Sequence, residues 1–164
     1  MTIAHCRQPE LQISENTINR ILPALVALIV LTLSSSPLLA AEVIDLVQVP
    51  CQFLDIETDQ GFKSNRKADC DAINAKTAKQ RLQKAKVLKL KPGTYIFRVS
   101  NKNVPYELGF WLREKDYDWR NPLHKLTKTS VSGGGLKIGM SQDYEVTLKP
   151  GEYLYSCPLN TTPD

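Results

Sequence analysis

Apolar residues fall along this chain in three different rhythms. Ile21 to Leu33 reads ILPALVALIVLTL, an uncharged run that nothing later in the chain matches. From Val43 onward the apolar positions come in short, strand-like groups. Val43 to Val49 reads VIDLVQV, and Cys51 to Ile56 continues the pattern past Pro50. One bent edge strand is the expectation, since proline is tolerated at edges and bulges. Gly61 to Asn65 breaks the rhythm. Asp69 to Lys86 (DCDAINAKTAKQRLQKAK) then places Ile73, Ala78, Leu82 and Ala85 at helical spacing. Asp69 and Asp71 near the start, with Lys84 and Lys86 near the end, suit the helix dipole, so this stretch predicts a helix.

Strand rhythm returns after the helix. Val87 to Leu90 leads into Lys91-Pro92-Gly93, and Thr94 to Ser100 reads TYIFRVS. Tyr144 to Leu148, Lys149-Pro150-Gly151 and Glu152 to Cys157 repeat that form, so that LKPGTYIF matches LKPGEYLY. Proline fixes φ at the first turn centre and glycine supplies positive φ at the second, which predicts a type II turn between strands in each unit. Tyr106 to Leu112 (YELGFWL) is the most apolar strand. Arg113 to Gly135 reads as a loop region, with Ser132-Gly133-Gly134-Gly135 as a mobile loop and Leu136 to Ile138 as a short strand after it. These elements predict an all-β fold, a β-sandwich with sheet-to-sheet crossings and one inserted helix.

The leading apolar run changes the picture of compartment. A polar stretch with Arg7 and Arg20 precedes it, and Ser34-Ser35-Ser36-Pro37 and Ala40-Ala41 follow, the layout of a secretory signal peptide. The alternative is an uncleaved anchor from Ile21 to Ala41, although the apolar run is short against the roughly 20 residues that span a bilayer. Residues 1–41 are therefore assigned to a leader and 42–164 to one domain with a helical insert at about 61–86. Periplasmic or secreted location follows. A chain of 164 residues that is 42% hydrophobic and 23% charged excludes collagen, low-complexity disorder and a multi-span membrane protein.

Outside the cytoplasm thiols tend to pair. Cys6 belongs to the leader, which leaves Cys51, Cys70 and Cys157, an odd number. A Cys51–Cys70 bridge would staple the helical insert to the sheet and closes the shorter loop. Net charge is +4, and Asn65 to Lys91 holds nine Lys/Arg against Asp69 and Asp71. Without aromatic residues to stack on bases, that stretch reads as a solvated helix face, and no nucleic-acid partner is expected. No acid/base pair or nucleophile–base arrangement is visible, so the chain is not read as an enzyme. His124 is a loop histidine, and Ser132 to Gly135 lacks the lysine and helix of a phosphate loop. Trp111 is assigned to the core and Trp119 to a candidate exposed binding aromatic. Asn160-Thr161-Thr162 is a glycosylation sequon.

From Leu88 to Asp164 the chain resembles a cupredoxin, the Greek-key sandwich of blue copper proteins. Three segments carry the likeness: KPG-x-Y-x-F ending in Asn101, NKNVPYELGFWL (Asn101 to Leu112), and LKPGEYLYSC ending at Cys157. The nearest likeness is to exported cupredoxin-like domains of the EfeO-type periplasmic iron-uptake proteins. The family's first copper histidine is replaced by Tyr106, and Cys157 is followed by PLNTTPD, without histidine or methionine. A blue copper site needs two imidazoles and a thiolate, and after the leader the chain has His124 alone, so blue-copper electron transfer is excluded by counting. The resemblance implies copper or another transition metal ion at Cys157, with Glu107 and Tyr106 as companion ligands. It also implies a Cys51–Cys157 disulfide, in competition with Cys51–Cys70. The strand that follows the ligand loop in the family is missing, so the sandwich lacks its last strand or borrows one from a partner. The expected function is an exported, non-enzymatic binding module. The alternative is a metal-free structural or protein-interaction domain held by a disulfide, with a protein partner in the cell envelope and membrane contact only through an uncut leader.

Overall fold

The computed structural model describes residues 41–163, and the leader reading on residues 1–40 lies outside them. Among the described residues no helix is long and apolar enough to cross a membrane.

Seven strands form two sheets. The first contains β1 (Glu42–Val49), β2 (Gln52–Phe53), β3 (Gly93–Asn101) and β6 (Ser141–Leu148), in the order β2-β1-β3-β6. The second contains β4 (Leu108–Glu114), β5 (Ser130–Leu136) and β7 (Tyr153–Ser156), in the order β5-β4-β7. β1 runs parallel to β3, which requires a long crossover. Helix α1 (Lys67–Lys84) lies in that connection. The chain passes between sheets from β3 to β4, from β5 to β6 and from β6 to β7. A sandwich with sheet-to-sheet crossings is therefore what the chain forms.

Period-two alternation sets the core. On β3, Tyr95, Phe97, Val99 and Asn101 point inward, and on β6 Tyr144, Val146 and Leu148 do the same. The outer face of that pair is polar and matched in register. Arg98 pairs with Asp143 at 2.8 Å, and Thr94 meets Thr147 at 3.0 Å. Between the sheets Phe110 packs on Tyr144 with ring centres 4.9 Å apart, and Phe53 meets Tyr155 edge-on at 5.1 Å, a spacing aromatic pairs favour.

Several sequence expectations change here. The stretch around Pro50 is a hairpin rather than one bent strand: Val49 pairs with Gln52, and Cys51 occupies the left-handed region at φ 62°. Asp55 caps the reversal by accepting the Val47 N–H at 2.9 Å. Residues 87–90 form no strand, so only the second Lys-Pro-Gly joins two strands, and it joins them across sheets. Neither unit has the positive-φ glycine corner of a type II turn: Gly93 keeps an ordinary φ and Gly151 sits near extended at 158°. What the repeats share is a tyrosine clamp. Tyr95 donates its hydroxyl to Lys91 O at 2.8 Å, and Tyr153 donates to Lys149 O at 3.1 Å.

The Ser-Gly-Gly-Gly stretch is not a loop but part of β5. Glycine is needed there because a Cβ on Gly133 would stand 2.8 Å from the Tyr144 ring. Its partner strand has the same demand, since a Cβ on Gly109 would meet Gly133 O at 2.7 Å. Between Arg113 and β5 the chain also forms a short helix, α2 (Pro122–Thr127). Trp111 is outside the core cluster; it lies half-buried on the outer face, with the Arg113 guanidinium 4.9 Å over its ring. Helix α1 buries Cys70 and Arg81 and half-buries Ile73, Asn74, Thr77 and Ala78, while Leu82 is about half exposed.

Candidate functional site

The two ends of the sandwich differ in chemistry. One end gathers buried polar groups around the corner at Cys51. A Cys51–Cys70 disulfide ties that corner to the first turns of α1, which resolves the pairing left open by the sequence and leaves Cys157 free. The helix start is itself braced: the Asp69 carboxylate accepts the N–H groups of Asn65 and Arg66 at 2.7 and 3.2 Å, and these bonds hold its pKa below the usual range.

Arg81, three turns further along, reaches back to the same corner. Its Nε and Nη2 bind both oxygens of Glu57 at 2.8 and 2.5 Å, and Nη2 also donates to Cys51 O at 2.7 Å. Nη1 donates to Asn74 at 2.7 Å, and the Phe62 ring stacks 5.1 Å below the guanidinium. This cation is buried, so the basic helix is not a uniformly solvated face.

Asn160 closes the cluster from the tail. Its Oδ1 accepts the Cys51 N–H at 2.6 Å, while Nδ2 donates to Val49 O at 2.9 Å and Gln48 Oε1 at 3.3 Å. Gln48, fully buried on β1, donates in turn to Gly109 O at 3.0 Å on the opposite sheet. With Asn160 fully buried and its amide engaged, the sequon presents no accessible acceptor in the folded chain.

Cys157 sits inside this network. Its sulfur accepts the N–H groups of Gly109 and Asn160 at 3.4 and 3.3 Å, and the residue is 1% exposed. Burial pushes the thiol pKa up, against a smaller pull from those N–H donors. Tyr106 lies at the same end. Its hydroxyl is 2.9 Å from Ser64 Oγ and 3.8 Å from Cys70 Sγ, and Cys70 Sγ is 3.5 Å from Asn160 Oδ1, whose own N–H meets Cys157. Burial likewise raises the Tyr106 phenol. Glu107 is exposed beside it. Among the described residues no group of three or more His, Cys, Asp or Glu stands close enough to hold a metal ion. His124 lies in α2, where its Nδ1 accepts the Asp118 N–H at 2.9 Å. Trp119 is 56% exposed, with Arg120 stacked 5.2 Å over it.

A raised thiol pKa makes Cys157 a poor nucleophile, because the thiolate is the reactive form. Iodoacetamide at mildly alkaline pH should leave it unmodified in the native protein and label it fully once denaturant is added; intact mass distinguishes the two. The sign for stability follows. Folding favours the protonated thiol, so this contribution is complete below the unfolded thiol pKa of about 8.5 and is lost as pH rises toward the higher native value.

The other end of the sandwich is open. A groove of about 680 Å³ lies where β3, β4, β6 and β7 begin or end, and Phe97, Leu112, Leu148 and Tyr155 form its floor. Ala85 at the end of α1, the segment Lys86–Pro92 and the Lys149–Gly151 corner form its walls. At the disulfide end the cavity beside Phe62, Ser64 and Pro105 measures about 160 Å³.

Compared with known proteins, the chain matches no family, no curated protein and no solved structure.

Sequence reasoning placed Cys51, Cys70, Tyr106 and Cys157 on the list of interest, and they do share one end. It missed Arg81, Asn160 and Gln48. A lone arginine on the helix face that also carries Cys70 was the available signal, since i to i+11 spacing puts both on one side. Nothing in the sequence marked the groove, whose walls come from six separate segments.

Proposed function

We propose that this chain is an exported, non-enzymatic binding module with a cupredoxin-like Greek-key sandwich, and that it binds its ligand in the groove at the Lys-Pro-Gly end. The observation that carries this reading is the size and make-up of the groove. At about 680 Å³ with an aromatic and aliphatic floor, it falls in the range of small-molecule sites, ~300–1,000 Å³. The mixed sheet with β1 parallel to β3, and the three crossings between sheets, support the cupredoxin-like assignment. The disulfide supports an oxidising compartment.

The Cys157 end takes a structural part in this proposal. Its sulfur is already engaged by two backbone N–H groups, and the Tyr106 hydroxyl is engaged by Ser64. A transition metal held by Cys157, Tyr106 and Glu107 would have to displace those bonds and bring an exposed carboxylate inward. The module is thus proposed to work without a metal, held by its disulfide.

An environment-sensitive dye, 1-anilinonaphthalene-8-sulfonate, provides the test. It should bind the native protein with one-to-one stoichiometry and lose that binding in Ala85→Trp, where the indole fills the groove, while the thermal midpoint stays within a few degrees. Unchanged dye binding in the blocked variant would overturn the groove as the site. A stoichiometric copper or zinc ion that disappears in Cys157→Ser would overturn the metal-free reading of the module.

A further inference from the structure

The rim of the groove is basic. Lys86, Lys89, Lys91, Lys115 and Lys149 all line it, and the acidic residue among the lining is Glu152, which is neutralised by Lys115 at 2.5 Å. Lys86, Lys89, Lys91 and Lys149 take part in no ion pair among the described residues. Four uncompensated ammonium groups around an apolar floor form one amphipathic site.

The tyrosine clamps explain how the charges are placed. Lys91 and Lys149 occupy equivalent positions of the two LKPG-x-Y units. Each has its carbonyl held by the hydroxyl of the tyrosine four residues on. Lys91 leads into β3 and Lys149 leaves β6, and Gly93 pairs with Leu148, so the clamps hold the two lysines at neighbouring ends of one strand pair, where both line the groove.

The segment Lys86–Pro92 forms the remaining lip. It is tied at its start by the Lys86 N–H to Ile56 O at 2.8 Å and at its end by the Tyr95 clamp. Residues 87–90 between those ties make no backbone–backbone hydrogen bond among the described residues, and Val87 is 80% exposed. Leu82 and Leu154 are also about half exposed nearby. A lip held at two points, with apolar side chains facing water, is suited to close over an apolar ligand.

We propose that the groove takes a single-chain anionic amphiphile of the fatty-acid class. The hydrocarbon chain lies on Phe97, Leu112, Leu148 and Tyr155, and the carboxylate sits among Lys86, Lys89, Lys91 and Lys149. This rests on the groove being the binding site. An apolar floor alone would accept any hydrophobic compound; the unpaired lysines at the mouth select a negative head group. The chemistry is that of a monomeric ligand rather than a bilayer surface, because the apolar contacts are recessed between the sheets.

Calorimetric titration of the full chain with dodecanoate, below its micelle concentration, tests the assignment against dodecanol, the neutral compound of the same chain length. Dodecanoate should bind at least ~10-fold more tightly, and added salt should narrow that gap. The double variant Lys89→Glu/Lys91→Glu should lose the preference while dodecanol affinity stays unchanged, which also shows that the variant is folded. Equal affinities for the two compounds would overturn the anionic selection and leave the groove reading intact. Binding of neither compound would overturn both. Binding to phosphatidylglycerol vesicles without uptake of monomeric dodecanoate would overturn the proposal in favour of a membrane surface.

Discussion

Arg81→Met is expected to destabilise the fold by about 3–5 kcal/mol, read as a large drop in the urea midpoint with an unchanged slope. Arg81 and Glu57 are 7% and 9% exposed, and removing the guanidinium leaves the Glu57 carboxylate without its two partners. It also strips a donor from Cys51 O and from Asn74 Oδ1. Burying a charge without a partner is among the most costly changes a core can suffer. A control separates this cause from loss of packing: Arg81→Met/Glu57→Leu removes both charges and should recover most of the loss. A double variant no better than the single one would mean that the carboxylate is not what suffers.

Loss of the Cys51–Cys70 bridge is the second large effect. The cysteines are separated by 19 residues, for which the chain-entropy account gives about 3 kcal/mol of stabilisation through the unfolded state. Cys51→Ser/Cys70→Ser should lower the thermal midpoint accordingly, and reductant added to the native-sequence protein should reproduce the shift. Both sulfur-bearing residues are fully buried, so reduction is expected to proceed through opening of the structure and to be slow under native conditions. The bridge and the arginine share the Cys51 corner, where Arg81 Nη2 binds the carbonyl and Asn160 the N–H. Their losses are therefore expected to be non-additive when combined. Simple additivity would show that the disulfide and the ion pair brace the corner independently.

Elements with a local cause were legible in advance. β3 and β6 alternate inward and outward residue by residue, and their outward residues pair across strands, so pattern and register agree. The helix was legible from its spacing and its acidic start; of the four apolar residues at that spacing, Ile73, Ala78 and Ala85 are half-buried and Leu82 is about half exposed. Beside the half-buried Ile73 and Ala78, the packed face carries the polar Asn74, Thr77 and Arg81, which a search for apolar residues does not count. The Ser-Gly-Gly-Gly stretch failed for a related reason. Glycine usually marks flexible turns, whereas here Gly133 is required because the Tyr144 ring leaves no room for a Cβ. Pro50 was compatible with a bend or a reversal, and the tie to Asn160, more than a hundred residues away, favours the reversal.

The candidate site divides the same way. By itself the sequence determined that residues 42–164 hold three cysteines, so that one has no partner among the other two, that the same stretch has one histidine and cannot assemble a blue copper ligand set, and that two LKPG-x-Y units recur. Those are matters of counting and identity, which no folding changes. Which cysteines pair, where the buried arginine finds its carboxylate, and how the two clamped lysines come to face one groove were decided by tertiary structure alone. Each depends on segments distant in the chain meeting at a distance of a few ångströms. Hydrogen bonds, ion pairs and apolar burial act over that range in space, and sequence spacing does not measure it.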